Sequence, residues 1–361
     1  MNISKIKHFF IKPTAEEIAK ELLERRKATQ GGVTAIPAEH KVAPSDAPSE
    51  SPAEKPHHRP VAKNEQLVKV VSEVTSKPLG EKDVLEANIE TSVVVFHNVT
   101  KKFGDSVALD NVSFAVRDPD RKGRLITIVG QSGCGKSTLL RMIAGLRPHA
   151  PASTGEVWID GKPLGPAGID RGLVDQKYSL FPHLTVVQNI AFGLRINGTG
   201  KKEATDRARE WVKKVSLEGS EDKFPSELSG GMQQRVSIAA TLILAPKILL
   251  MDEPFGALDP KIRLRMQELL IELWKEQRST VFFVTHSIEE AIYVGDRVFR
   301  MGANPGRLIE QLNVPRPDEP PEVFRTRPWF NEIVTDLRMR LEQDAPAKGE
   351  LPNGNGRKPA A

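Results

Sequence analysis

The sequence predicts an α/β fold organised around one glycine-rich loop, and three observations carry that prediction. Leu125-Ile126-Thr127-Ile128-Val129 is a short β-branched apolar run that reads as a buried strand, and it leads into Gly130-Gln131-Ser132-Gly133-Cys134-Gly135-Lys136-Ser137-Thr138. Leu139 to Ala144 continues as a helix, with Gly145 in the place of a C-cap. Two further apolar runs end in polar residues. Ile248-Leu249-Leu250-Met251 stops at Asp252-Glu253, and Val281-Phe282-Phe283-Val284-Thr285 stops at His286.

The central stretch matches G-x-x-x-x-G-K-[ST], the phosphate-binding loop of a P-loop NTPase. Its glycines let backbone N–H groups close around phosphate oxygens, and the helix N-terminus adds a partial positive charge. Lys136 is placed to reach the β- and γ-phosphates, and Ser137 to supply a hydroxyl to Mg²⁺. The plainer reading is a glycine-rich turn before an ordinary helix. The Gly-Lys-Ser-Thr end and both flanks argue against it. Cys134 reads as a small residue of the loop rather than a nucleophile.

The 361 residues, 39% hydrophobic and 27% charged, allow one large or two modest domains around a core. A net charge of +5 over this length is no footprint for nucleic acid, and it suits a protein near an anionic membrane face. The single cysteine excludes an intramolecular disulfide and fits a reducing compartment. No apolar run approaches the roughly 20 residues that cross a bilayer. Lys12 and Pro13 follow Phe9-Phe10-Ile11 too soon for a secretory signal. A cytoplasmic protein is expected.

Residues 1–91 differ from the rest. Thr14-Ala15-Glu16-Glu17 is a capping-box pattern, and Ile18 and Leu22 give a short apolar face that Gly31-Gly32 stops. Such a lone helix either docks on a partner or stays solvated. Pro37, Pro44, Pro48, Pro52, Pro56 and Pro60 mark a disordered linker. His57-His58 reads as linker composition, not a metal site. Leu67, Val70, Val71 and Val74 suggest another short element.

The folded domain is expected from Ser92. Val93 to Phe96 and Val112 to Val116 read as strands, with Lys101-Lys102-Phe103-Gly104 between them. Phe103 reads equally as a core ring or as a ring that stacks on a base. Gly155 to Gly161 is a strand ending in an Asp-Gly turn, and Leu173 to Gln176 a short strand ending in an amide. Leu180-Phe181-Pro182 is an apolar loop. Helices are expected over Thr185 to Leu194, over 201–217, and from Ser229, an N-cap ahead of Gly230-Gly231. Those glycines make a second anion-binding helix start. Asp252 is placed to hold Mg²⁺ and Glu253 to orient or deprotonate water. Gly256 to Pro260 turns into a long helix, Lys261 to Arg278.

Two anion-binding helix starts, a carboxylate pair and a terminal histidine, in this order, resemble the ATP-binding subunit of an ABC transporter. The resemblance implies an ABC ATPase over about 92–315: a mixed sheet core, an antiparallel β subdomain and an inserted helical subdomain at about 180–242. It matches Phe103 to the adenine-stacking aromatic and Gly130 to Thr138 to the Walker A loop. Gln176 matches the Q-loop glutamine, which senses Mg²⁺, the γ-phosphate and the membrane subunit. Ser229-Gly230-Gly231 match the signature, Asp252 and Glu253 Walker B and the catalytic glutamate, Asp259 the D-loop aspartate, and His286 the switch histidine.

The resemblance thus assigns catalysis to Lys136, Gln176, Glu253 and His286, the metal to Ser137, Gln176 and Asp252, and ATP and Mg²⁺ as cofactors. Two departures stand out: Met232 where the signature often has Gln, and Asp175 where Phe is common before Gln176. The Met232 signature, Asp296-Arg297-Val298 and Asn304 to Leu308 are most similar to the nitrate/sulfonate/taurine importer type.

Family membership also implies a head-to-tail dimer, homodimeric or with another ABC subunit. It implies integral membrane permease partners, a solute-binding protein, and a peripheral place on the cytoplasmic face of the inner membrane. After Pro315, a C-terminal helical segment is expected over 316–342, with one or two helices over 323–342 and Leu337 and Leu341 on one face, then a disordered tail over 343–361. The alternative is a soluble ABC-type ATPase acting on nucleic acid or ribosomes. The lack of a long coiled coil and of a second cassette argues against it, and no nucleic acid is expected. Deletion of residues 1–88 is expected to spare ATP binding.

Overall fold

The computed structural model describes residues 76–78, 89–314 and 321–344, all within the unit Glu73–Ala361. The expected helix near Thr14, the proline linker, the element at Leu67–Val74 and most of the C-terminal tail lie outside the described residues.

The chain order begins with β1 (Ser76–Pro78), then β2 (Ser92–Phe103), β3 (Ser106–Arg117) and β4 (Arg124–Gly130). Helix α1 (Lys136–Ile143), β5 (Thr154–Ile159), β6 (Lys162–Pro163) and β7 (Arg171–Val174) follow. Next come α2 (Val186–Ile196), α3 (Lys201–Lys214), α4 (Gly230–Leu242) and β8 (Ile248–Asp252). Then come α5 (Pro260–Gln277), β9 (Thr280–Val284), α6 (Ile288–Val294), β10 (Arg297–Gly302) and β11 (Arg307–Asn313). Helices α7 (Pro321–Thr326) and α8 (Pro328–Gln343) close it.

A seven-stranded mixed sheet has the order β1-β11-β10-β4-β9-β8-β7. Its inner strands are parallel, and β8 and β9 are buried along their whole length. Strands covered on both faces read as continuous apolar runs, which is why these two are visible in the sequence. A four-stranded antiparallel sheet, β3-β2-β5-β6, lies against the first. Phe114 of β3 ties the two together. Its ring centroid is 4.7 Å from Phe96, 5.3 Å from Phe299 and 6.5 Å from Phe282. Leu139, Leu140, Met142 and Ile143 of α1 share the same core.

The structure corrects the sequence reading in three places. The strands expected at 93–96 and 112–116 are the inner halves of one long hairpin, closed by the turn Gly104-Asp105. Asn98 and Asn111, at φ 51° and 48°, interrupt the alternation on which strand detection depends, and register shifts accompany them. Strands β10 and β11 are additions to the strands expected from sequence. Buried Arg300 of β10 pairs with Glu310 of β11 at 2.5 Å, so their charges mask an interior position. The sheet also begins before Ser92, because β1 pairs antiparallel with β11.

Other expectations hold. Asp160 and Gly161 turn β5 into β6 with φ 49° and 72°, as a two-residue hairpin requires. Ser229 caps α4 as expected, and the full capping box of Thr185 with Gln188 on α2 is an addition to the sequence reading. The C-terminal segment forms two helices. Leu337 is buried, Leu341 half-buried, and α8 runs through Gln343. Phe324 of α7 joins Tyr293 of α6 and Trp329 and Phe330 of α8 in one aromatic cluster.

Candidate functional site

The glycine loop fills the gap between β4 and α1 and is held there by contact with neighbouring strands. A Cβ on Gly135, whose φ is 89°, meets Ala108 O of β3 at 2.7 Å; one on Gly130 meets Met301 O of β10 at 2.5 Å. Only glycine fits at these two positions. Gly135 is also the N-cap of α1 and offers no side chain, so the first N–H groups of the helix are left for an anion. Lys136 donates from Nζ to Gly130 O and Gln131 O, both at 2.8 Å. Cys134 is fully buried. Burial pushes its thiol pKa up and the Lys136 ammonium opposes, which makes it an inert packing residue. The Gln131 side chain leaves the loop and donates to Leu341 O of α8 at 3.3 Å.

Strand β8 delivers the carboxylates. Asp252 is 2% exposed and accepts from Ser137 Oγ at 3.1 Å. Burial raises the Asp252 pKa, the Ser137 hydrogen bond and Arg141 lower it, and Asp175 and Glu253 raise it. Glu253 lies one residue past the strand at φ 51°, a strained backbone conformation for a residue with a side chain. One Glu253 oxygen accepts from Gln176 Nε2 at 3.0 Å, and the other lies 2.5 Å from His286 Nε2. Three expected residues from three strand ends, β7, β8 and β9, therefore meet.

Phe103 ends β2 with 36% of its surface exposed. His149 stands edge-on to it at 5.4 Å, and Lys101 Nζ lies 5.2 Å from its centroid. Burial, Arg141 and Lys101 lower the His149 pKa, with Asp175 opposing. The Phe103 ring is therefore partly exposed and is not enclosed in the core. Gly133 has open space around it, at φ 79°.

Ser229, Gly230 and Gly231 belong to a different neighbourhood. Gly230 faces Tyr178 Oη and Gly231 faces Ala257 O. Ser229 Oγ is occupied by its own helix, accepting from Met232 N at 3.4 Å. Asp259 likewise caps α5, accepting from Ile262 N at 3.1 Å.

Sequence reasoning missed Arg141, whose guanidinium stands between Asp175 and Asp252. Its i+4 spacing from Ser137 on the loop helix was the available signal. It also missed buried Asn189. That side chain holds the apolar loop by accepting from Phe181 N and donating to the carbonyls of Phe181, Leu184 and Thr185.

A phosphate loop, a buried strand-end aspartate and an acid held between an amide and a histidine define a P-loop ATPase. The ABC transporter family model matches residues 109–256. The nitrate import ATP-binding protein of Synechocystis is 44% identical over 256 residues, 68% of this chain and 94% of that protein. The taurine import ATP-binding protein of Rhizobium johnstonii is 47% identical over 246 residues, 66% and 91% respectively. A dimeric ATP-binding cassette solved in a post-hydrolysis state with ADP and Pi superposes with a TM-score of 0.55 at 33% identity, over 62% of this chain and 99% of that one. The chain belongs to the ABC transporter ATP-binding family and is an ATP-binding ATPase of that class. The reading as a nucleic-acid or ribosome ATPase gains no support from these relatives.

Proposed function

We propose that this chain hydrolyses ATP to drive import of a small anion, in the range of nitrate, sulfonates and taurine, through separate membrane subunits. The observation that carries the catalytic part is the bridging position of Glu253 between Gln176 and His286. Glu253 is the general base, poised to take a proton from the attacking water. Gln176 holds one of its oxygens and places the water. His286 contacts the γ-phosphate from the opposite side. Lys136 moves from its own loop carbonyls to the β- and γ-phosphates, stabilising charge as it develops. Phe103 stacks on the adenine.

The Ser137 hydroxyl and Asp252 carboxylate suit a hard, oxygen-seeking cation, and Gln176 is the third protein group assigned to it. Mg²⁺ held there would supply positive charge to offset that of the phosphate oxygens. A buried carboxylate with a raised pKa is a site where a cation restores what burial removed.

Gly230-Gly231 at the start of α4, with Ser229 and Asp259, serve the nucleotide of a second subunit in a head-to-tail dimer. Exposed Phe181 and Tyr178 dock a permease subunit on the cytoplasmic face of the inner membrane, and a solute-binding protein completes the importer. The experiment is ATP turnover by wild type and Glu253→Gln, alone and with the permease subunits. Stimulated turnover that falls by about 100-fold or more in the variant, while ATP-bound dimers accumulate, supports the reading. Turnover indifferent to membrane subunits rejects the transport role, and undiminished turnover in the variant rejects Glu253 as base.

A further inference from the structure

Behind His286 lies a cavity of about 180 Å³, lined by Glu253, Phe255, Arg263, Thr285, His286 and Glu290 among others. Thr285, Ser287 and Glu290 of its lining belong to a hydrogen-bond chain whose donors converge on Glu290 from two sides. Arg325 of α7 donates from Nη2 to Gln267 Oε1 of α5 at 2.5 Å. Gln267 donates from Nε2 to Glu290 Oε1 of α6 at 2.6 Å. The other Glu290 oxygen accepts from the Thr285 hydroxyl. Thr285 Oγ1 in turn accepts from Ser287 N at 3.1 Å, and Ser287 Oγ accepts from Glu290 N at 3.1 Å.

We propose that Glu290 is a positioning residue for His286, and that Arg325 in the C-terminal segment anchors it through Gln267. The proposal rests on the reading of Glu253 and His286 as the reacting pair. Arginine has no acceptor, so the Gln267 oxygen must face it, and the Gln267 amide must then face an acceptor. A carboxylate at 290 accepts from Gln267 and Thr285 at once. The threonine hydroxyl is thereby committed to donate, which leaves its lone pairs for Ser287 N. His286 is thus flanked by two residues that both hydrogen-bond to Glu290 or to each other. Gln267, Thr285 and Glu290 are all buried, which strengthens these bonds. Burial raises the Glu290 pKa, while Thr285, Gln267, Arg263 and Arg325 oppose, so the chain also decides how much charge is held there. Arg325 is fixed from its other side by the Tyr293 ring, 4.2 Å from its guanidinium.

The test uses the full chain and three readouts: kcat, KM for ATP and Tm. Glu290→Gln places a second amide against Gln267 and breaks the donor order. It is expected to lower kcat by about tenfold or more with KM for ATP within about twofold, because a displaced His286 acts on the reacting phosphate and not on nucleotide capture. Arg325→Leu is expected to do the same more mildly. The exchange Glu290→Gln with Gln267→Glu restores the order: Arg325 then faces a carboxylate, and the amide oxygen at position 290 accepts from Thr285. It is expected to recover most of kcat. Unchanged kcat in both single variants overturns the proposal. So does parallel loss of kcat, ATP affinity and Tm that the exchange fails to repair. His286→Ala separates the two levels. If it retains turnover, the site reading itself is wrong; if it abolishes turnover while Glu290→Gln does not, only the positioning role falls. Should Glu290→Gln not fold, Arg325→Leu reads the same chain from its other end.

Discussion

Arg141 Nη2 stands 2.9 Å from Asp175 Oδ1 and 3.8 Å from Asp252 Oδ2. One cation on the loop helix thus serves two carboxylates, one on β8 and one just past β7. Asp175 is one of the two residues that depart from the family pattern, and Arg141 gives it a partner. Removing the cation leaves Asp252 between Asp175 and Glu253, both of which raise its pKa. Arg141→Gln is therefore expected to shift the acid limb of the kcat/KM–pH profile to higher pH. Asp175→Asn is expected to shift it to lower pH. The profiles, recorded at saturating metal, check both signs.

Asp252 itself is expected to trade stability for function. Its pKa in the fold is raised above the ordinary 3.8, chiefly by burial. The unfolded chain ionises first as pH rises, so the penalty starts near the ordinary value, grows until the raised one, and is full above it. Asp252→Asn is expected to raise the nucleotide-free Tm at pH 7, a gain that vanishes below about pH 3.8, while abolishing metal-dependent turnover. Thermal melts across pH in chelator decide it. A lower Tm at pH 7 shows that the Ser137 and Arg141 contacts outweigh burial.

The two inner loop glycines are expected to fail differently. Alanine at Gly133 meets open space and carries only left-handed strain, about 1–2 kcal/mol. Alanine at Gly135 carries that strain and also collides with Ala108 O and the Leu109 side chain at 2.7 Å. Gly133→Ala is expected to fold with a modestly reduced Tm. Gly135→Ala is expected to pry β3 from the loop and lose ATP binding with a much larger Tm loss. Comparable Tm values for the two place the cost in backbone strain alone.

How much the sequence disclosed follows from what kind of interaction makes each part. The loop, β8, β9 and the Ser229 cap are local devices, and short windows contain them. The long hairpin was cut short because Asn98 and Asn111 hide its period. Strand β10 was missed because its interior Arg300 is satisfied from Glu310 and Asp344, distant in sequence. Motif order placed Gln176, Glu253 and His286 in one list, but their meeting depends on parallel pairing of β7, β8 and β9. The chain from Arg325 to Thr285 spans three helices and a strand end, and no window of sequence holds it.

The edge strand β1 sets the last prediction. Ser76–Pro78 pairs with Glu310–Leu312 of β11, so the boundary of the ATPase unit lies before Ser76 and not at Ser92. Glu310 also anchors Arg300 and Arg340. Deletion of residues 1–72 is expected to leave both Tm and ATP affinity unchanged. Deletion of residues 1–88 removes β1 and uncovers the β11 edge, an invitation to strand pairing between molecules. It is expected to lower Tm and promote association while ATP affinity stays near wild type, since the loop lies three strands away from β1 in the sheet order. Melting curves, light scattering and nucleotide titration of the two truncations check this together. Equal Tm values make β1 an ornament of the edge; loss of nucleotide affinity in the longer deletion ties that edge, through Glu310 and Arg340, to the helix whose Leu341 carbonyl holds Gln131.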